Sequence, residues 1–74
     1  MSPDAQVGGS YVNALSERET VVLDQIVLGL TNRQIAARLV VSTNTINKQV
    51  QSILRKLEVR NRVQAALYAR AVST

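Results

Sequence analysis

The sequence predicts an all-α domain of four short helices, and three observations carry that reading. Hydroxyl or amide caps recur along the chain, most of them with Glu or Gln three residues later. The apolar residues between them return at spacings of three and four, and no stretch sustains the every-second-residue alternation of a half-buried strand.

Residues 1–14 hold the single Pro and two of the three Gly without apolar periodicity, and read as a flexible tail or linker remnant ahead of a domain over 15–74. Ser16-Glu17-Arg18-Glu19 is a capping box, in which the Ser16 hydroxyl accepts from the Glu19 amide and the Glu19 carboxylate reaches back. It opens a first helix over about 17–28. Val22, Ile26 and Leu30 recur every fourth residue beside Leu23 and Val27, and Gly29 supplies the left-handed residue that ends helices.

Thr31-Asn32-Arg33-Gln34 is a second box, opening a helix over about 32–40 with Ile35, Ala36 and Leu39 on one face. A turn and cap at Val41-Ser42-Thr43-Asn44 lead into a third helix over 43–57. There Ile46, Val50, Ile53, Leu54 and Leu57 fall at i, i+4, i+7, i+8 and i+11, the clearest helical stripe in the chain. Asn61-Arg62-Val63-Gln64 is a further box and begins an Ala-rich fourth helix over about 62–71.

With 74 residues there is room for one small domain. Cysteine and histidine are both absent, which removes disulfides, thiolate or imidazole metal ligands and the commonest nucleophiles and acid/base groups. The five carboxylates form no pair with a base, and no Gly-rich phosphate loop occurs, so neither an enzyme nor a cofactor is expected. The apolar runs are far shorter than the roughly 18 residues a membrane span needs. Lack of cysteine and of a signal-peptide pattern points to the cytoplasm.

Charge is divided unevenly. Residues 1–30 set Arg18 against Asp4, Glu17, Glu19 and Asp24, net −3; residues 31–74 set eight Arg and Lys against Glu58, net +7. The basic half suits a polyanion.

Two helices joined by a tight turn, the second longer and amphipathic, are the minimum needed to lay a helix in a DNA major groove. Ala36 is small where the second and third helices cross, and Ile46 is placed to meet Ile35 and Leu39. Opposite its apolar stripe the third helix carries Asn44, Lys48, Gln51 and Arg55, with Asn47 on the flank. Asn47, Lys48 and Gln51 are the candidate base readers, since Asn and Gln match adenine while Lys and Arg match guanine or phosphate. Thr31, Arg33, Ser42, Thr43, Asn44, Thr45, Arg55, Lys56, Arg60 and Arg62 are the candidate phosphate or flanking contacts.

In order and spacing these residues resemble the LuxR-type (GerE-type) helix-turn-helix domain of bacterial transcription regulators. The resemblance runs through Leu15-Ser16-Glu17-Arg18-Glu19, Val22-Leu23, Gly29-Leu30-Thr31-Asn32-Arg33-Gln34-Ile35-Ala36, Leu39, Ser42, Thr45-Ile46, Lys56-Leu57, Val59, Arg62 and Ala65-Ala66, and covers about residues 15–71. It implies four helices, groove reading by the third, homodimerisation largely through the fourth, and regulation of transcription in the nucleoid, with RNA polymerase as a further partner. It also implies the output domain of a response regulator or a small stand-alone regulator. The family's base-reading positions fall on Asn47, Lys48 and Gln51.

Three departures stand out. The family usually has a cation where this chain has Asn47, often His where it has Gln49, and commonly Gly where it has Glu58. Losing the cation at 47 implies an adenine-containing half-site and a weaker salt dependence. Glu58, a negative charge at a helix C-terminus, implies a different ending for the third helix.

For the fourth helix the expectation is that some of Val63, Ala66 and Leu67 close the core, leaving Ala65, Tyr68 and Ala69 to a weak two-fold contact. The competing reading is a helical protein-binding or dimerisation module without specific DNA binding, which has no need of Asn47, Lys48 and Gln51 on one face. A sigma-like or RNA-binding helix-turn-helix shares the motif but not the ordered run from Leu15 to Ala66.

Overall fold

The structure, a computed structural model, describes residues 14–73, so all but Ala14 of the expected tail lies outside the described residues. Within them the chain forms α1 (Glu17–Val27), α2 (Asn32–Leu39), α3 (Thr43–Leu57) and α4 (Arg62–Ser73), and no strand. The expected all-α, four-helix architecture is present, with ends moved by one or two residues: α1 and α2 each stop one residue early and α4 continues to Ser73. No helix among the described residues is long and apolar enough to cross a membrane.

Both complete capping boxes form as read. The Ser16 hydroxyl accepts from the Glu19 amide at 3.1 Å and the Glu19 carboxylate accepts from the Ser16 amide at 3.0 Å; Thr31 and Gln34 repeat this at 3.1 and 2.8 Å. Ser42 caps α3 through the Thr45 amide at 3.1 Å. Ahead of α4 only half a box is made: Asn61 accepts from the Gln64 amide, while the Gln64 carbonyl reaches one residue further back, to the Arg60 amide at 2.8 Å.

The first three helices end by one device. The amides of Leu30, Val41 and Val59 turn back to the carbonyls of Gln25, Ala36 and Leu54 at 3.0–3.2 Å, each across one left-handed residue. That residue is Gly29 (φ 90°) after α1, Val40 (φ 58°) after α2 and Glu58 (φ 59°) after α3. Leu30, Val41 and Val59 then pack against the core, which locks each joint. Glu58, expected to alter the ending of α3, takes the same left-handed place after its helix that Gly29 takes after α1.

The core comes from all four helices. Val22, Leu23 and Ile26 of α1, Ile35 and Ala36 of α2, Ile46, Val50, Ile53 and Leu57 of α3, and Ala65 of α4 are buried together with Leu15. The pairs α1 with α4, α2 with α3 and α1 with α3 make the main contacts, so α1 and α4 buttress the α2–α3 unit from behind.

Candidate nucleic-acid interface

At 1.5 Å per residue the 15 residues of α3 make a rod of about 22 Å. Its apolar stripe faces inward, with Ile46 and Ile53 fully buried. The opposite side holds Asn44, Asn47, Lys48, Gln51 and Arg55, all exposed. Spacings of three and four put these side chains on one face. That face presents amide donors and acceptors flanked by two cations, a chemistry matched to base edges and phosphates. The candidate residues of α3 therefore share one exposed face.

The side chains at the rim fall into three groups. Arg33, Thr43 and Arg60 are exposed, as the sequence reading requires of flanking contacts. Thr31 and Ser42 use their hydroxyls first as caps, and the Thr45 hydroxyl meets that of Ser42 at 2.9 Å. Each capping hydroxyl keeps further hydrogen-bonding capacity for an anion at the helix N-terminus.

Lys56 and Arg62 are corrections. The Lys56 ammonium turns away from the α3 face onto Glu19, 2.8 Å from Oε1. The other carboxylate oxygen of Glu19 accepts from the Ser52 hydroxyl at 2.7 Å. Arg62 turns back onto the joint before α2, donating to the Leu30 carbonyl at 2.8 Å and to Asn32 Oδ1 at 2.5 Å. Both cations occupy positions that a helical wheel places near the rim, but each meets an acceptor 30 or more residues away in sequence, which no local pattern reveals.

Glu19 shows what such an acceptor is worth. Burial pushes its pKa up, but the hydrogen bonds from Lys56, Ser52 and the Ser16 amide, with the Lys56 charge, overcome burial and hold it at about 2 against the usual 4.5. The residue that the sequence identifies only as a cap is also the buried anion tying α1 to α3.

On α4 the expected two-fold face is also revised. Ala65 is fully buried and has no surface to offer a partner. Tyr68, Ala69 and Ala66 are partly buried against the core, whereas Val63 and Leu67 stand 64% and 60% exposed. The physical reason is close approach: α4 lies against α1 and α3 through its small residues, so the larger Val63 and Leu67 point outward. Composition alone does not reveal which Ala lies at the crossing.

One link was absent from the sequence reading. Asn32 Nδ2 donates to Asn47 Oδ1 at 2.8 Å, joining the start of α2 to the outer face of α3. Asn47 is one of the departures from the family pattern, and that departure is what permits the bond.

Comparison with known proteins fits this geometry. Residues 13–69 match the family described as bacterial regulatory proteins, luxR family. The chain is 45% identical over 56 residues, 76% of its length, to the nitrate/nitrite response regulator protein homolog of Haemophilus influenzae, covering 27% of that protein. It is 43% identical over 68 residues, 92% of its length, to the glycerol metabolism activator of Pseudomonas putida, covering 31% of it. With the nitrate/nitrite response regulator protein NarP of Escherichia coli the identity is 44% over 55 residues, 74% of this chain and 25% of NarP. The chain thus spans between a quarter and a third of the length of these relatives. It belongs to the luxR family of bacterial regulatory proteins, and its four helices are that family's helix-turn-helix DNA-binding domain, a regulator's module and not an enzyme's.

Proposed function

We propose that this domain binds double-stranded DNA sequence-specifically in the cytoplasm by laying α3 in the major groove, and that it does so as a homodimer on two half-sites to regulate transcription. The observation that carries the reading is the exposed row Asn44, Asn47, Lys48, Gln51 and Arg55 on the one face of α3 that the core does not use. Lys48 and Gln51 read bases; Arg33, Thr43, Arg55 and Arg60 hold phosphates beside the capped N-termini of α2 and α3. Val63 and Leu67 are the apolar surface on α4 through which a second copy associates, weakly because the patch is small. The response-regulator names of relatives support a further part of the proposal, that the domain is the output module of such a regulator; contact with RNA polymerase is proposed with it.

The test is selection from random DNA followed by binding at several salt concentrations. A half-site repeated about one helical turn apart is expected. Lys48→Ala should lower affinity for the selected site by about tenfold and relax preference at one base pair, leaving thermal stability unchanged. Binding that shows neither sequence preference nor salt dependence would favour a protein-binding module instead.

A further inference from the structure

A line of hydrogen bonds runs from the joint before α2 to the outer face of α3. Arg62 Nη2 donates to the Leu30 carbonyl, Arg62 Nη1 donates to Asn32 Oδ1, and Asn32 Nδ2 donates to Asn47 Oδ1. Its direction is fixed at the source. A guanidinium has donors and no acceptor, so the oxygen of Asn32 must face Arg62 and its NH2 must face the other way. That NH2 then holds the oxygen of Asn47 inward. Asn47 is exposed, and the group it keeps for a ligand is its own NH2.

We infer that Asn32 is a positioning residue that sets the polarity of Asn47, so that Asn47 reads a hydrogen-bond acceptor on the base edge. A free Asn matches adenine by giving one hydrogen bond and taking another. An Asn whose oxygen is held inward presents a donor, which suits guanine, with O6 and N7 adjacent, or the O4 of thymine. The donor N4 of cytosine opposes it, and adenine matches it less well than guanine because its N7 acceptor has the N6 donor beside it. The adenine preference expected from residue type alone is thereby replaced by guanine or thymine at the base pair facing Asn47. This inference rests on the proposal that α3 lies in the major groove.

The discriminating variant is Asn32→Asp. A carboxylate has acceptors only, so one oxygen keeps Arg62 and the other accepts from Asn47, turning the Asn47 amide over and presenting its oxygen to the base. At the first position of α2 an added negative charge is favourable to the helix, so the fold is retained. Selection from random DNA with the 74-residue chain should give guanine or thymine for the native protein at one position of the half-site, and cytosine or adenine for N32D. The change in relative affinity is on the order of tenfold. Other positions keep their preference, while total affinity falls because a charge has been added near phosphate. Asn32→Ala, which frees Asn47 without adding charge, should raise the preference for adenine at that position.

A second readout needs no DNA. In N32D the side-chain NH2 protons of Asn47 become donors to a carboxylate, and their NMR signals should move downfield. The same base preference in the native chain and N32D, or an Asn47 amide signal that does not move, overturns the relay. Failure of the native chain to select any sequence while that signal does move overturns the groove assignment and leaves the relay standing.

Discussion

The two ends of α3 carry similar residues and use them differently. At the N-terminal end, Asn44, Lys48 and Gln51 stand outward. At the C-terminal end, Ser52 and Lys56 turn inward to Glu19, and just beyond the helix Arg62 folds back to Leu30 and Asn32. Lys48 thus stands exposed, while Lys56, a cation of the same type, serves the fold. What separates them is the presence of an acceptor from a distant part of the chain, so charge count alone overstates the surface available to DNA. The inward end is tied to α1 through Glu19, while the outward end is held by Ile46 and Val50 in the core against α2.

The largest effect should come from breaking the inward end. Lys56→Met leaves the buried Glu19 carboxylate with only Ser52 and the Ser16 amide, and should destabilise the domain by about 2 kcal/mol, below the full cost of a buried pair because Lys56 is partly exposed. The sign of the pH dependence follows from the lowered pKa. A carboxylate at about 2 in the fold and near 4.5 when unfolded adds stability that is fully present above 4.5 and is lost as pH falls toward 2. Urea unfolding between pH 2 and 7 should show that loss in the native chain and a flatter profile in Lys56→Met, where only the Ser52 and Ser16 amide hydrogen bonds still oppose burial. Equal profiles would mean the ion pair contributes nothing.

Arg62→Lys should be smaller and of a different kind. One ammonium cannot hold the Leu30 carbonyl and Asn32 together as the forked guanidinium does, so about 1 to 2 kcal/mol of stability should be lost although the charge is kept. Salt dependence of DNA binding provides the contrast with the outer face, read with the charge removed. It should be unchanged in Arg62→Gln and reduced, by about one unit of log–log slope, in a variant of a proposed phosphate contact such as Arg55→Ala. A reduced slope in Arg62→Gln would move Arg62 back to the DNA face.

These two cations also show where sequence reading stops. The capping boxes at Ser16 and Thr31, the stripe from Ile46 to Leu57 and the turn at Gly29 are legible because each is set by residues within a turn or two of one another. The outward face of α3 is legible for the same reason, being whatever the stripe leaves over. Glu19 with Lys56, Arg62 with Leu30 and Asn32 with Asn47 are not, since those partners meet only after α1, α2 and α4 have docked on α3. Ala65 belongs with them: its burial depends on how closely α4 approaches, and one Ala of Ala65-Ala66 looks like the other until the helices are packed.

The smallest expected effect asks whether the two ends differ in backbone as well as in side chains. Both close on the same geometry, with Val40 at φ 58°, ψ 50° before α3 and Glu58 at φ 59°, ψ 42° after it. An L-residue pays about 1 to 2 kcal/mol to sit there, and glycine does not, although glycine loses more freedom on folding. Val40 is 87% exposed, so its removal forfeits little burial, and its branched Cβ makes the conformation harder to hold. Val40→Gly should therefore stabilise by about 1 kcal/mol and Glu58→Gly by about 0.5 kcal/mol, both read from thermal or urea unfolding. Gly29→Ala supplies the reverse case. A Cβ there meets nothing within 4 Å, so any loss comes from the φ of +90° alone. Similar gains at Val40 and Glu58, with a loss at Gly29, would show that the joints are equivalent in backbone and that only side-chain ties distinguish the two ends of α3. A gain at one end and a loss at the other would show that the joints themselves differ.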